Sequence, residues 1–136
     1  MNNRIRYILF FFVLFTALWL LFGGGRSYET VHMIPVTDAG FDEQVRNAEQ
    51  PVLVMFSAVW CGSCYRVTPV LDDLAAEYEG RVKFVTVDYD RNPELVGRYQ
   101  VDAVPYVLLF QDGKAVDARV GVHPAQSYRN WIEEYL

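Results

Sequence analysis

The sequence predicts an α/β fold with a central mixed sheet and helices on both of its faces. Residues 51–57 form a continuous apolar run, which is typical of a central strand covered on both sides. Helical and strand-like patterns alternate over residues 37–110, as expected when helices cover a sheet. Asp112-Gly113 then separates two strand-like runs and indicates a hairpin. The hairpin adds antiparallel strands, so the predicted sheet is mixed.

The first element along the chain is an uncharged apolar stretch, residues 7–22, which follows Arg4 and Arg6. Its sixteen residues fall slightly short of the roughly twenty that span a bilayer, although residues 23–25, all glycine, extend it toward the interface. The stretch is therefore either a membrane anchor or a signal peptide cleaved near the glycines. Its length and its phenylalanine and tryptophan content favour an uncleaved anchor over residues 1–25.

Charge predicts where the rest of the chain lies. Arg4 and Arg6 hold the N-terminus in the cytoplasm by the positive-inside tendency. We therefore expect a single-pass protein of the inner or plasma membrane, with residues 7–22 in the lipid bilayer. The remainder would lie in the periplasm or another extracytoplasmic space, which is oxidising. Residues 26–136 carry ten basic and 17 acidic side chains, a formal net charge of −7, which argues against nucleic acid as a partner.

Residues 26–36 are predicted to form a tether that leads into a short edge strand, and residues 37–136 to form a single domain. Helix starts are marked by Thr-Asp or by proline, and strands by short apolar runs. The predicted helices begin at Thr37-Asp38, near Cys61, at Pro93 and at Pro124, and the predicted strands are residues 51–57, 82–87, 106–110 and 114–120. Pro69 should kink the second helix.

The two cysteines of the chain lie three positions apart in Trp60-Cys61-Gly62-Ser63-Cys64, between a predicted strand and a predicted helix. Unpaired N–H groups and the helix dipole favour a thiolate at a helix N-terminus, where this placement puts Cys61. A thiolate attacks disulfides, and Cys64 is close enough to resolve the mixed disulfide that forms. We therefore predict thiol-disulfide chemistry with Cys61 as the nucleophile, Cys64 as the resolving residue and no bound cofactor.

Other roles of the cysteine pair fit the sequence less well. A structural staple that closes a four-residue loop would contribute only roughly 2 kcal/mol in the loop-entropy model. A zinc site needs further ligands, and His32 and His123, the two histidines of the chain, lie outside the motif. No metal site is predicted, and copper handling by the dithiol is a weaker alternative.

The sequence resembles the thioredoxin family over residues 30–136. The resemblance rests on several segments that agree in order and spacing. They are the cysteine motif, Pro69, Asp90-Arg91-Asn92-Pro93, Val104-Pro105 with the apolar run 106–110, Asp112-Gly113 and Val120-Gly121. The resemblance implies a thioredoxin-like three-layer fold and a protein-disulfide oxidoreductase. It also implies protein thiols and disulfides as substrates. For a chain held in the membrane we further expect a membrane redox partner.

A shallow groove for an extended peptide is also implied by the resemblance. In the family the proline that corresponds to Pro105 is cis and lies against the active-site disulfide. The groove residues would be Trp60, Val104, Pro105, Gly121 and Val122. Because proline removes a ladder hydrogen bond, we expect Pro105 at the first residue of its strand. Plain packing is the alternative role for Val104 and Val122.

The sequence departs from the family at the position of a buried acid. Thioredoxins usually carry an aspartate six residues before the first cysteine and a lysine partner on the neighbouring strand, where this chain has Met55 and Thr86. Cys64 thus lacks its usual proton acceptor, which water or Asp88, if it points inward, would replace. A binding module or holdase that turns over poorly is the alternative function. The direction of electron flow is not set by any residue, since about 30 mV changes the equilibrium tenfold.

Overall fold

The computed structural model describes residues 2–22 and 29–136. The first helix, α1, spans Asn3–Phe22 and contains the uncharged apolar stretch. Over Asn3–Leu21 it is long and apolar enough to cross a membrane, and none of it is buried. An N-terminal helix with these properties is either a membrane span or a signal sequence. The glycines at 23–25 and the first part of the predicted tether, residues 26–28, lie outside the described residues.

A five-stranded mixed sheet forms the centre of the fold. The strands are β1 (Ile34–Pro35), β2 (Val52–Ser57), β3 (Lys83–Asp88), β4 (Tyr106–Gln111) and β5 (Lys114–Val120), in the spatial order β1-β3-β2-β4-β5. The first three strands in that order are parallel, whereas β4 pairs antiparallel with both β2 and β5. The mixed sheet confirms the predicted fold class.

Three helices follow the first strands, and they cover both faces of the sheet. They are α2 (Cys64–Glu77), α3 (Pro93–Arg98) and α4 (Ala125–Glu133). Strand alternation separates two buried clusters, because Leu53 and Met55 point to one face of β2 and Val54 and Phe56 point to the other. The first cluster packs under α2 and α4, and the second packs under α3.

The predicted first helix at Thr37-Asp38 is wrong in type. The structure has a 3₁₀ turn at Asp38–Gly40 followed by a π-helical turn at Asp42–Arg46. Its buried anchors, Phe41 and Val45, agree with the sequence pattern. Backbone hydrogen bonds alone stabilise a segment of this length only weakly, so the packing of these anchors in the second buried cluster determines the form of its turns. Pro124 likewise caps α4 rather than beginning it.

The hairpin between β4 and β5 has the predicted two-residue turn. Asp112 and Gly113 have φ values of 51° and 76°, and Gln111 pairs with Lys114. Two positive φ values are the signature of a type I′ turn. A Cβ atom at Gly113 would lie 2.5 Å from the carbonyl oxygen of Arg46, so the turn requires glycine there.

The side chain of Asp72 in α2 binds the backbone of the segment that precedes β1. Its carboxylate is buried and accepts backbone N–H groups from Val31, His32 and Met33 at 2.9–3.2 Å. Burial opposes the charge, but the hydrogen bonds from His32, Met33 and Val31 outweigh it and hold the pKa of Asp72 below its usual value.

We expect Asp72→Ala to lower the free energy of unfolding by about 3 kcal/mol, because a hydrogen bond to a charged group contributes roughly 1.5–3 kcal/mol. The folded-state pKa lies below the unfolded value, so this contribution is complete above about pH 4 and is lost as the pH falls through the folded-state pKa. Urea unfolding at several pH values measures both effects. The exposed neighbour Asp73 is the matched control, and an equal loss in Asp73→Ala would contradict the assignment.

Candidate active site

The two cysteines form a disulfide at the N-terminal end of α2. Their Cα atoms are 5.3 Å apart, within the usual range for disulfides. Cys64 is the first residue of α2, and Cys61 lies one turn earlier, in the loop after β2. The strand-then-helix placement is as predicted. The helix begins three residues later than predicted, because residues 61–63 form a turn in which the Cys61 carbonyl accepts the Cys64 N–H at 3.2 Å.

Hydrogen-bond donors lie beside the sulfur of Cys61. The backbone N–H of Cys64 also donates to Cys61 Sγ at 3.2 Å, and Ser63 Oγ is 3.5 Å from the same sulfur. Donors in these positions stabilise a thiolate once the disulfide is reduced. Within residues 2–22 and 29–136, no such donor contacts Cys64 Sγ. The environments of the two sulfurs therefore differ.

An apolar rim, defined here as Val59, Trp60 and Tyr65, flanks the disulfide. The side chains of Val59 and Trp60 are 73% and 63% exposed, whereas Cys61 is 5% exposed. Trp60 is held in place because its Nε1 donates to Asp90 Oδ2 at 2.8 Å. The Tyr65 hydroxyl donates to the Val59 carbonyl at 3.0 Å. The rim is exposed yet fixed, which suits contact with another protein.

The predicted groove residues of the C-terminal half meet at the start of β4. The Val104–Pro105 peptide is cis, as the resemblance implies. The expectation that Pro105 is the first residue of its strand is wrong by one position, because β4 begins at Tyr106, which pairs with both β2 and β5. The Gly121 N–H donates to the Pro105 carbonyl at 3.0 Å, which brings the two residues together. Val104 packs against both buried clusters, consistent with a packing role, whereas Val122 is exposed.

Comparison with known proteins identifies the family. The sequence model of the Thioredoxin family matches residues 32–134. The chain belongs to the thioredoxin family. It is 42% identical to a thioredoxin of Synechocystis sp. over 101 residues, which are 74% of this chain and 94% of that protein. It is 40% identical to thioredoxin 1 of Nostoc sp. with the same coverage, and 39% identical over 104 residues to a thioredoxin of Staphylococcus aureus, covering 76% of this chain and 98% of that protein.

Proteins of this family are thiol-disulfide oxidoreductases that act on protein thiols and disulfides, and this chain has the cysteine pair at disulfide distance that the reaction requires. Across residues 2–22 and 29–136, no group of three or more His, Cys, Asp or Glu side chains is arranged to hold a metal ion. In thiol-disulfide exchange the reacting atoms are the two sulfurs, Cys61 Sγ and Cys64 Sγ.

The two residues at which the sequence departs from the family resemblance, Met55 and Thr86, lie together in the structure. Met55 is fully buried and pairs in register with Thr86 of β3, so the two departures from the family face each other on adjacent strands. Met55 and Cys64 belong to the same buried cluster. The hydroxyl of Thr68 lies 3.8 Å from Met55 Sδ. An apolar thioether thus occupies the place where an acid is usual.

A cavity behind Cys64 was not predicted from the sequence. Its volume is about 210 Å³, and Ser57, Thr68, Thr86 and Asp88 supply polar groups to its wall. The sequence does contain a signal for Thr86 and Asp88. Side chains alternate between the two faces of a strand, so these two residues lie on the same face of β3 as the buried Phe84. That the wall also includes Cys64 follows only from the packing of α2 on the sheet.

Proposed function

We propose that this protein is a membrane-tethered thioredoxin that exchanges disulfides with proteins on the extracytoplasmic side of an inner or plasma membrane. Residues 1–25 form the anchor, residues 26–36 the tether with the edge strand, and residues 37–136 the thioredoxin domain. The observation that carries the proposal is α1, which precedes the family-matched residues 32–134 and is apolar and unburied over Asn3–Leu21. Arg4 and Arg6 before it favour a cytoplasmic N-terminus.

Cys61 is the nucleophile of the proposed reaction. In the reducing direction its thiolate attacks one sulfur of a substrate disulfide, the bond between the two substrate sulfurs breaks, and the leaving sulfur takes up a proton. Cys64 then loses its proton and attacks Cys61 Sγ. The mixed disulfide breaks, the second substrate sulfur leaves, and the protein disulfide forms. The donors beside Cys61 Sγ support this assignment, and the same steps in reverse oxidise a substrate dithiol.

The substrate segment would lie across Trp60, Val104, Pro105, Gly121 and Val122. The exposure of Trp60 and Val122 and the hydrogen bond between Gly121 and Pro105 support a shallow groove there. A second redox protein of the same membrane is the proposed partner that resets the disulfide. Anchoring through residues 7–22 would raise the effective concentration of that partner without any new contact surface.

Thiol labelling in spheroplasts tests the proposal. The reduced full chain is treated with a limiting amount of a membrane-impermeant maleimide, and the labelled cysteine is located by peptide mass mapping. We expect labelling before permeabilisation, at Cys61 in preference to Cys64. The Arg4→Glu/Arg6→Glu variant is the control, because loss of the positive flank should reduce labelling in intact spheroplasts.

Two outcomes would contradict the proposal. Labelling that requires permeabilisation would place the domain in the cytoplasm, and preferential labelling of Cys64 would overturn the assignment of the nucleophile. Alkaline extraction of the membranes separates the two N-terminal alternatives. An anchored chain stays in the pellet at its full length, whereas a cleaved chain is shorter and soluble.

A further inference from the structure

Cys64 must lose a proton each time it resolves a mixed disulfide, yet its side chain is only 3% exposed. It lies in the buried cluster that also contains Met55. Apolar surroundings disfavour a thiolate, and a thiol with so little exposed surface contacts little bulk water that could take its proton. The resolving step therefore needs both a route for the proton and an acceptor.

The cavity behind Cys64 provides the route. Its volume of about 210 Å³ far exceeds what one water molecule requires, and its wall has enough hydroxyl and carboxylate groups to bind water. Three of its residues, Ser57, Thr86 and Asp88, also line a neighbouring cavity of about 560 Å³ that extends past Arg91. The two cavities share a wall at the carboxyl ends of β2 and β3, and both open to the surface.

Asp88 is the acid that lines both cavities. It pairs in register with Ser57, two residues along the strands from the Met55–Thr86 pair, and it therefore lies on the same face of the sheet as Thr86. Its Oδ1 accepts the backbone N–H groups of Asp90 and Arg91 at 3.0 and 3.1 Å, which fixes the carboxylate. For Oδ2 the described residues offer no hydrogen-bond partner, so this oxygen is available to water.

The other titratable side chains along the two cavities are less suited to accept a proton. They are Tyr65, Asp38 and Arg91. The Tyr65 hydroxyl already donates to the Val59 carbonyl, and a guanidinium has no acceptor. Asp38 Oδ1 accepts the backbone N–H of Leu95, and Asp38 lines only the cavity farther from Cys64.

We propose that Asp88 accepts the proton of Cys64, through water in the cavity, during the resolving step. The thiol proton passes to water and then to Asp88 Oδ2. The sulfur lone pair of Cys64 forms the bond to Cys61 Sγ, and the bond between Cys61 and the substrate sulfur breaks. The substrate thiolate takes a proton from solvent, and Asp88 returns its proton to solvent. This proposal rests on the proposed role of Cys64 as the resolving residue.

The test isolates the resolving step in the full-length protein in detergent. Reduced protein is mixed with 5,5′-dithiobis(2-nitrobenzoate), which releases one thiolate when Cys61 attacks and a second when Cys64 resolves the adduct. Asp88→Asn keeps an oxygen for the turn at Asp90 and Arg91 but removes the basic group. We expect its second phase to be about tenfold slower at pH 7, which is less than the hundredfold or more that a general base usually contributes, because water still accepts part of the proton. The rate of the first thiolate release, which reports the attack by Cys61, should be unchanged.

Added imidazole distinguishes the loss of a proton acceptor from a structural defect, because imidazole can accept a proton but cannot restore a disturbed structure. At fixed pH and ionic strength it should accelerate the slow second phase of Asp88→Asn and leave the wild type unchanged, because it replaces the missing acceptor. Asp88→Glu, which restores a carboxylate, should recover most of the rate. The matched control is Asp38→Asn, which removes the second carboxylate that lines the larger cavity and likewise accepts a backbone N–H, and it should leave both phases unchanged.

A second variant covers the case in which Asp88→Asn does not fold. Thr86→Val removes one hydroxyl from the cavity wall, leaves the turn after Asp88 intact, and should slow the same phase a few-fold. An unchanged second phase in folded Asp88→Asn, or a slow phase that imidazole does not accelerate, would overturn the proposal. A second phase that persists in Cys64→Ala would instead overturn the role of Cys64, so the two failures are distinguishable.

Discussion

Replacing Cys64 with alanine should turn this protein from a catalyst into a trap. Cys61 still attacks a substrate disulfide, but the intramolecular thiol that releases the mixed disulfide is absent. We expect covalent complexes with extracytoplasmic proteins to accumulate, and steady-state disulfide reduction to fall by roughly a hundredfold or more, as for loss of an essential catalytic group. Non-reducing electrophoresis of cells treated with acid and alkylating agent measures the complexes, and insulin reduction measures turnover.

Cys61→Ala is the control for the trapping experiment. It should lose turnover to the same extent but accumulate no complexes, because the donors that the described residues place beside Cys61 Sγ have no counterpart there at Cys64 Sγ. Equal trapping by the two variants would mean that either cysteine attacks substrates. Trapping by neither variant would favour the alternative of a binding module or holdase that uses the apolar rim without turnover.

Replacing Met55 with aspartate should destabilise the fold by about 4 kcal/mol or more. Met55 is fully buried, and removal of a large buried side chain alone costs roughly 2–5 kcal/mol. The new carboxylate also lacks a partner, since Thr86 stands opposite on β3, and burial of an unpaired polar group costs a further 1–3 kcal/mol. This sum approaches the whole stability of a typical domain, so a fraction of the variant should be unfolded at 37 °C.

Two further variants distinguish charge from volume at position 55. Met55→Leu conserves volume and should cost less than about 1.5 kcal/mol. Met55→Asp/Thr86→Lys places a cation on the paired residue and should recover part of the loss. Urea unfolding of the three variants gives the comparison. If Met55→Asp proves no less stable than Met55→Leu, position 55 is hydrated, and the buried cluster that contains Met55 and Cys64 is not apolar there.

An aspartate at position 55 also tests whether the proton acceptor of Cys64 limits the resolving step. If Cys64 is limited by its acceptor, a carboxylate at position 55 should restore the resolving rate of Asp88→Asn, because both positions lie on the face of the sheet toward α2. The double variant should therefore resolve the adduct faster than Asp88→Asn alone, provided that it is folded. An equal rate would mean that position 55 does not reach Cys64.

Most elements of the fold were predictable because their signals are local. The hairpin turn depends on Asp112 and Gly113, both of which adopt positive φ. The two residues that the turn brings together, Gln111 and Lys114, flank it directly in the sequence. The strand that precedes the cysteines is marked by an apolar run, and β2 is buried as that run predicts. The segment at Asp38–Arg46 is where local reasoning failed, since its turns depend on contacts made by Phe41 and Val45 with residues distant in the sequence.

The sequence by itself determined the dithiol motif, the mixed sheet and the apolar N-terminal helix, because each depends on residue type and short spacing. Only the tertiary structure decided which residues distant in the sequence meet, including those that lie beside Cys64. Asp72 meets residues 31–33 across about forty positions of sequence, and Asp88 shares a cavity wall with Cys64 through the packing of α2 on β3. A strand pattern shows which residues share a face, but the register between strands and the position of the covering helix determine what that face touches.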